Sequence, residues 1–279
     1  MGKITLNKCL CIKMAKKKKT VTTTVTKVTT VTTEPTNEKT QIVCILDRSG
    51  SMSSIMTDSI GGFNTFLKQQ KELPDEATLT VALFDDKYEL LYDDVDIKKT
   101  KDITSKEWFP RGVTALHDAI GKTINNVKAT HRKLGVEAPA KVLVCVVTDG
   151  HENASKEYTR SDIQKLIQDC EKDDWNFIYL AANQDAFAVG TSFGVSAGNT
   201  YTYTASADGV MNMSNTLVSA AVNYRSMSSS DANFKTRSKS LIDDDKDDAP
   251  EDLLDGTITL GNTTGNFTTT GTDTLVDKE

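Results

Sequence analysis

An apolar run, Ile42-Val43-Cys44-Ile45-Leu46, ends abruptly on Asp47-Arg48-Ser49-Gly50-Ser51. Consecutive apolar residues without polar alternation predict a strand covered on both faces, as in the parallel sheet of an α/β protein. A second such run, Lys141 to Val147, leads into Thr148-Asp149-Gly150. Apolar residues recur at helical spacing between and after these runs. They are Met56, Ile60, Phe63, Phe66 and Leu67, then Leu116, Ile120, Ile124 and Val127, then Ile163, Leu166, Ile167 and Cys170. The spacing predicts helices over about Asp58–Lys71, from Thr114 onward, and over Tyr158–Asp173, with a closing helix over Asp208–Asn223. Further strands are expected at Thr78–Phe84, Trp175–Leu180 and Thr200–Thr204. The fold class is therefore α/β, a doubly wound, mostly parallel sheet with helices on both faces. One antiparallel edge strand, Lys87–Tyr92, follows the turn at Asp85-Asp86.

Open α/β sheets bind ligands outside the carboxyl ends of their strands. Asp47, Ser49 and Ser51 fall at such an end, at alternate positions around Gly50. Three hard oxygen donors converging there suit a hard divalent cation, Mg²⁺ foremost. Each residue also has a plainer role open to it. Ser49, Ser51 and Thr114 suit helix caps, and Asp149-Gly150 is a common turn pair.

Taken together, these residues resemble the metal-ion-dependent adhesion site of von Willebrand factor A domains. The Asp-x-Ser-x-Ser motif is matched by Asp47, Ser49 and Ser51. The lone Thr of a later loop is matched by Thr114 in Gly112-Val113-Thr114-Ala115-Leu116. The Asp after a buried strand is matched by Asp149. The resemblance covers about Thr40 to Tyr224 and implies the Rossmann-like fold of that family. It also implies that Ser49, Ser51 and Thr114 hold Mg²⁺ (Mn²⁺ or Ca²⁺ as alternatives) through hydroxyls, with Asp47 and Asp149 acting directly or through waters. One position on the ion is then left for water or for an Asp or Glu carboxylate of a protein partner.

Asp149-Gly150-His151-Glu152-Asn153-Ala154-Ser155 and Tyr179 to Asp185 are similar to intracellular bacterial and phage members. They imply a protein-binding module in the cytoplasm or a virion. A metal-dependent hydrolase, or a metal that only staples loops, are the competing readings. His151 or Glu152 would be the base of the former. Arg48 is expected either to help hold an acidic partner or simply to snorkel over the rim. Glu152, Asn153 and Asn183-Gln184-Asp185 are expected near the metal loop, and Asp85 and Asp86 in a turn. Trp108 and Phe109 are expected to tuck beneath a loop, and Met211 and Met213 to fill core.

The remaining chain reads as segments outside that domain. Residues 1–39 hold a Lys-rich start and a Thr/Val tract of low complexity, read as disordered in isolation. Lys3, Lys8 and Lys13 surround no apolar core of a signal peptide, and Met14 before Lys16–Lys19 offers a second start. Residues 225–279 read as an acidic and then Thr/Gly-rich tail. The net charge of −6 disfavours a general nucleic-acid binder, and no apolar stretch has the length of a bilayer span. Cys44, Cys145 and Cys170 read as small buried hydrophobes of a reducing compartment. Cys9 and Cys11 have no partners for a zinc site.

Overall fold

The strands, in chain order, are β1 (Thr40–Asp47), β2 (Ala77–Phe84), β3 (Tyr88–Asp96), β4 (Lys141–Thr148), β5 (Trp175–Ala182) and β6 (Thr200–Tyr203). They form one sheet in the order β3-β2-β1-β4-β5-β6. Every pairing is parallel except β2 with β3. The helices are α1 (Met56–Glu72), α2 (Leu116–Leu134), α3 (Arg160–Lys172), α4 (Ala186–Ser192), α5 (Ala207–Ser226) and the short α6 (Phe234–Arg237). The structure is a computed structural model, and it describes residues 38–135 and 138–242. The Lys/Thr-rich start, with Cys9 and Cys11, and the acidic and Thr/Gly-rich stretches from Asp243 onward lie outside the described residues.

The unbroken apolar runs have a simple cause. Ile42, Cys44 and Leu46 of β1 point into a layer with Phe63, Phe66 and Leu67 of α1 and Met213 and Leu217 of α5. Val43 and Ile45 point the other way, against Ile120, Ile124 and Val127 of α2 and Ile163 and Ile167 of α3. A strand buried on both faces has no use for polar alternation. β1 and β4 are neighbours, and the strand order reverses between them. The loops leaving β1 and β4 therefore flank the crevice where such sheets take their ligands.

Several boundaries differ from the sequence reading. α1 begins at Met56 with Ile55 as its N-cap, so Asp58 lies in the first turn and is not the cap. β3 runs on to Asp96 and a single 3-10 turn (Ile97–Lys99) follows it. Around Ile103–Lys106 there is one hydrogen-bonded turn instead of a helix. Phe109 is 38% exposed and Met211 52%, whereas Trp108 and Met213 are buried as expected.

The packed body also continues beyond Tyr224. Met227, Phe234, Leu241 and Ile242 are all buried. The buried ammonium of Lys141, at the start of β4, donates to Arg225 O (2.8 Å) and Met227 O (2.5 Å). The boundary expected at Tyr224 thus falls inside the body, which extends to Ile242. Its last apolar residues are too widely spaced to show a period, so they read as tail.

Candidate metal centre

Asp47 is the last residue of β1 and is fully buried. Its Oδ1 accepts Ser49 N–H (2.6 Å) and its Oδ2 accepts the Thr148 hydroxyl (2.6 Å). Trp108 Nε1 donates to Asp47 O at 2.9 Å, fixing the strand end from below. Ser49 and Ser51 then turn back over the carboxylate, with their Oγ atoms 3.0 Å apart. Ser51 Oγ donates to Asp149 Oδ1 at 2.5 Å. Asp149 follows β4 directly and is almost wholly buried.

Thr114 joins this group from the loop before α2. A methyl built on Gly150 would lie 2.8 Å from Thr114 Oγ1, 3.2 Å from Ser51 Oγ and 3.6 Å from Ser49 Oγ. Three hydroxyls from two loops therefore surround one small space beside the third loop, and only a glycine leaves it open. All five expected residues come together at this point.

The plainer roles fail on inspection. Ser49 precedes the 3-10 turn Gly50–Ser54 but its side chain makes no cap hydrogen bond. Ser51 lies inside that turn, and α2 is preceded by Ala115, without a side-chain cap. The Ser49 and Ser51 hydroxyls are spent on each other and on Asp149, not on helix amides.

The electrostatics favour a cation. Burial pushes Asp47 from 3.8 up to about 6, against hydrogen bonds from Thr148 and Ser49, and the charge of Asp149 adds to the rise. Burial likewise raises Asp149, against its bond from Ser51. Two carboxylates whose charge is penalised, with three neutral hydroxyls, form a donor set that a hard divalent ion would relieve. Among the described residues no group of three or more His, Cys, Asp and Glu side chains could hold a metal ion, and the donors gathered here are two carboxylates and three hydroxyls.

Surrounding side chains hold the loops in register. Thr114 N–H donates to Asn153 Oδ1 and Asn153 N–H to Thr114 O, both at 3.0 Å. Glu152 accepts from His117 N–H (2.9 Å) in the first turn of α2, from Ala154 and Ser155 N–H, and from the Ser155 hydroxyl. Burial would raise this carboxyl, but those donors outweigh it and leave it below its ordinary value. Gln184 Nε2 donates to Gly150 O at 3.1 Å, placing the β5 loop beside the site as expected. Asn183 takes the backbone bend (φ 56°), and the Asp185 carboxylate caps α4 by accepting Ala188 N–H.

One expectation is corrected and one extended. Arg48 does not face a partner: it is 1% exposed and its Nη1 donates to Glu89 at 2.7 Å. With the Asp47 and Ser49 side chains on both sides of it turned to the crevice, the turn drives it inward toward Asp85. Asp85 lies in the turn as expected, and its carboxylate is also buried and accepts from Lys87 N–H and Arg111 Nε. Thr148 and Trp108 are the supports that the sequence did not mark as such. Both sit in apolar surroundings where a core role is the default reading.

Neither a protein-family model nor a curated protein matches the sequence. Solved structures do match. A point mutant of the PilB minor pilin from Streptococcus sanguinis aligns over 68% of this chain and 62% of its own, at 9% identity and TM-score 0.50. The strand order and this alignment decide the architecture. The fold is that of a von Willebrand factor A domain.

Two further solved structures match with lower TM-scores. Proximal thread matrix protein 1 from the mussel byssus, in a form with a zinc-occupied MIDAS motif, aligns at 17% identity over 65% of this chain and 45% of its own, TM-score 0.45. The vWF domain of the type V pili tip protein Mfa5 from Porphyromonas gingivalis aligns at 11% identity over 64% of this chain and 95% of its own, TM-score 0.45. This chain spans less than two thirds of the length of the mussel and pilin chains.

Proposed function

We propose that this A domain is a metal-dependent protein-binding module. In this reading Asp47, Ser49, Ser51, Thr114 and Asp149 hold Mg²⁺, and a partner protein supplies an Asp or Glu carboxylate to it. The observation that carries the reading is the convergence of the Ser49, Ser51 and Thr114 hydroxyls on the space above Gly150. When bound, the ion supplies a positive charge that neutral hydroxyls only partly offset and that an acidic group from outside completes. Ser49, Ser51 and Thr114 orient toward it without adding charge. Asp47 and Asp149 hold the compensating charge beneath.

Recognition is favoured over hydrolysis by the side chains that would have to act as a base. Glu152 is committed to four donors and its carboxyl is held below its ordinary value, which makes it a poor proton acceptor. His151 is exposed on the loop. The free, buried Cys44, Cys145 and Cys170 suit a reducing compartment, and we place the module in a bacterial or phage-infected cytoplasm. Among the described residues no helix is long and apolar enough to cross a membrane.

The test is a pull-down from the native host in Mg²⁺ and in EDTA, with Asp149→Ala as control. A partner retained by the intact protein only in Mg²⁺, and lost by the variant, supports the reading. Equal retention in EDTA overturns it.

A further inference from the structure

The loop that brings Thr114 to the centre is short and is pinned at both ends. At one end Arg111 N–H donates to Arg48 O at 2.7 Å, and Gly50 N–H donates to Gly112 O at 3.2 Å. At the other, Ala115 N–H donates to Asp85 O at 3.0 Å. Only Val113 and Thr114 lie between these anchors. Asn153, bonded to both Thr114 N–H and Thr114 O at 3.0 Å, is a further anchor, and where Thr114 Oγ1 stands depends on how firmly all of them are held.

One side chain fastens the loop to the protein interior. Arg111 Nε donates to Asp85 Oδ2 at 2.5 Å, and its guanidinium lies over the Phe109 ring, 5.2 Å from the centroid. Asp85 is buried, its Oδ1 accepts Lys87 N–H at 2.6 Å, and it faces a second guanidinium, that of Arg48, at 3.6 Å. Arg48 lies between the proposed ligands Asp47 and Ser49. Glu89 of β3 completes the group, 2.7 Å from Arg48 Nη1 and 3.9 Å from Arg111 Nη2. Two arginines and two acids thus tie the first metal loop to the second, although none of the four touches the cradle. Arg48 and Asp85 are buried within this group while Arg111 and Glu89 are partly exposed, so it adds little net stability and its contribution here is to geometry.

We propose that Arg111 is a positioning residue of the metal centre, and that its bond to Asp85 sets cation affinity by holding the Thr114 hydroxyl against Ser49 and Ser51. The inference rests on the metal-binding reading above. It goes further in assigning the affinity to a residue that the ligand motif does not contain. Groups that orient ligands from outside the coordination sphere typically change metal affinity by about 10–100-fold.

The test is Mn²⁺ affinity of the full chain, measured by titration calorimetry, for the wild type, Arg111→Gln, Thr114→Ala and the double variant. Arg111→Gln is expected to weaken Mn²⁺ binding by about tenfold in the wild type and to cause no further loss in the Thr114→Ala background. A merely structural role would lower affinity equally in both backgrounds, and that result overturns the proposal. So does an unchanged affinity of Arg111→Gln in the wild type. Thermal unfolding in EDTA establishes that each variant is folded. If Arg111→Gln is not, Arg111→Lys, which keeps the charge without the directed Nε–H, replaces it and must show the same background dependence. A wild type that takes up no Mn²⁺ at all defeats the metal reading itself, a result distinct from failure of the Arg111 assignment.

Discussion

Ser51 Oγ donates to Asp149 Oδ1 at 2.5 Å, joining residues 98 positions apart in the chain. That bond links the turn after β1 to the turn after β4 across the point where the strand order reverses. In the metal-bound reading the same two oxygens belong to one cation's surroundings. Asp149→Ala should therefore abolish Mn²⁺ uptake, while the circular dichroism spectrum and cooperative unfolding in EDTA stay intact. A variant that fails to fold would show that the pair is a strut and not a site.

Gly150 offers a subtler test. An added Cβ would come within 2.8 Å of Thr114 Oγ1, with no conflict against backbone. Gly150→Ala should displace that hydroxyl and weaken metal binding at least tenfold, with unfolding in EDTA changed little. Calorimetric titration with Mg²⁺ or Mn²⁺ reads this directly.

Asp47 makes metal uptake and stability depend on pH in opposite directions. Its folded-state value, about 6, lies above the ordinary 3.8. The folded metal-free protein thus binds this proton more tightly than the unfolded chain does. The contribution of Asp47 to stability is then fully present below pH 3.8 and is lost as pH rises through about 6. Bound cation needs the ionised form, so the rise in melting temperature caused by Mg²⁺ should be larger at neutral pH than below pH 6. Melting scans in EDTA and in Mg²⁺ at the two pH values check both signs.

Arg48 stands between two proposed ligands but points inward to Glu89 and Asp85. Arg48→Ala removes a buried cation and leaves the Asp85 carboxylate with Arg111 alone. A loss on the order of 3 kcal/mol is expected in urea unfolding, at the low end for a broken buried pair because Glu89 is half exposed.

Residues after α5 are part of the body. A chain ending at Tyr224 would lose buried Met227, Phe234, Leu241 and Ile242, and the carbonyls of Arg225 and Met227 that hold Lys141. It should aggregate or unfold at lower temperature than a chain ending at Ile242. Equal melting temperatures would contradict the packing described.

The sheet and four of the five clustered residues were legible in the sequence for a local reason, while Thr114 was marked only by the family resemblance. Two-sided burial erases polar alternation in β1 and β4, and the polar residues that interrupt each run mark where the strand stops. Strand ends in such sheets are where ligands sit, so Asp47, Ser49, Ser51 and Asp149 could be placed from pattern alone. The direction of the Arg48 side chain, the burial of Asp85, the support of Asp47 by Thr148 and Trp108, and the packing of Phe234 and Leu241 depend on contacts between residues far apart in the chain. Such contacts leave no period to read. Residue type and spacing determined which groups stand at the rim. Only the folding of distant segments against one another decided which charges turn inward to hold that rim in place.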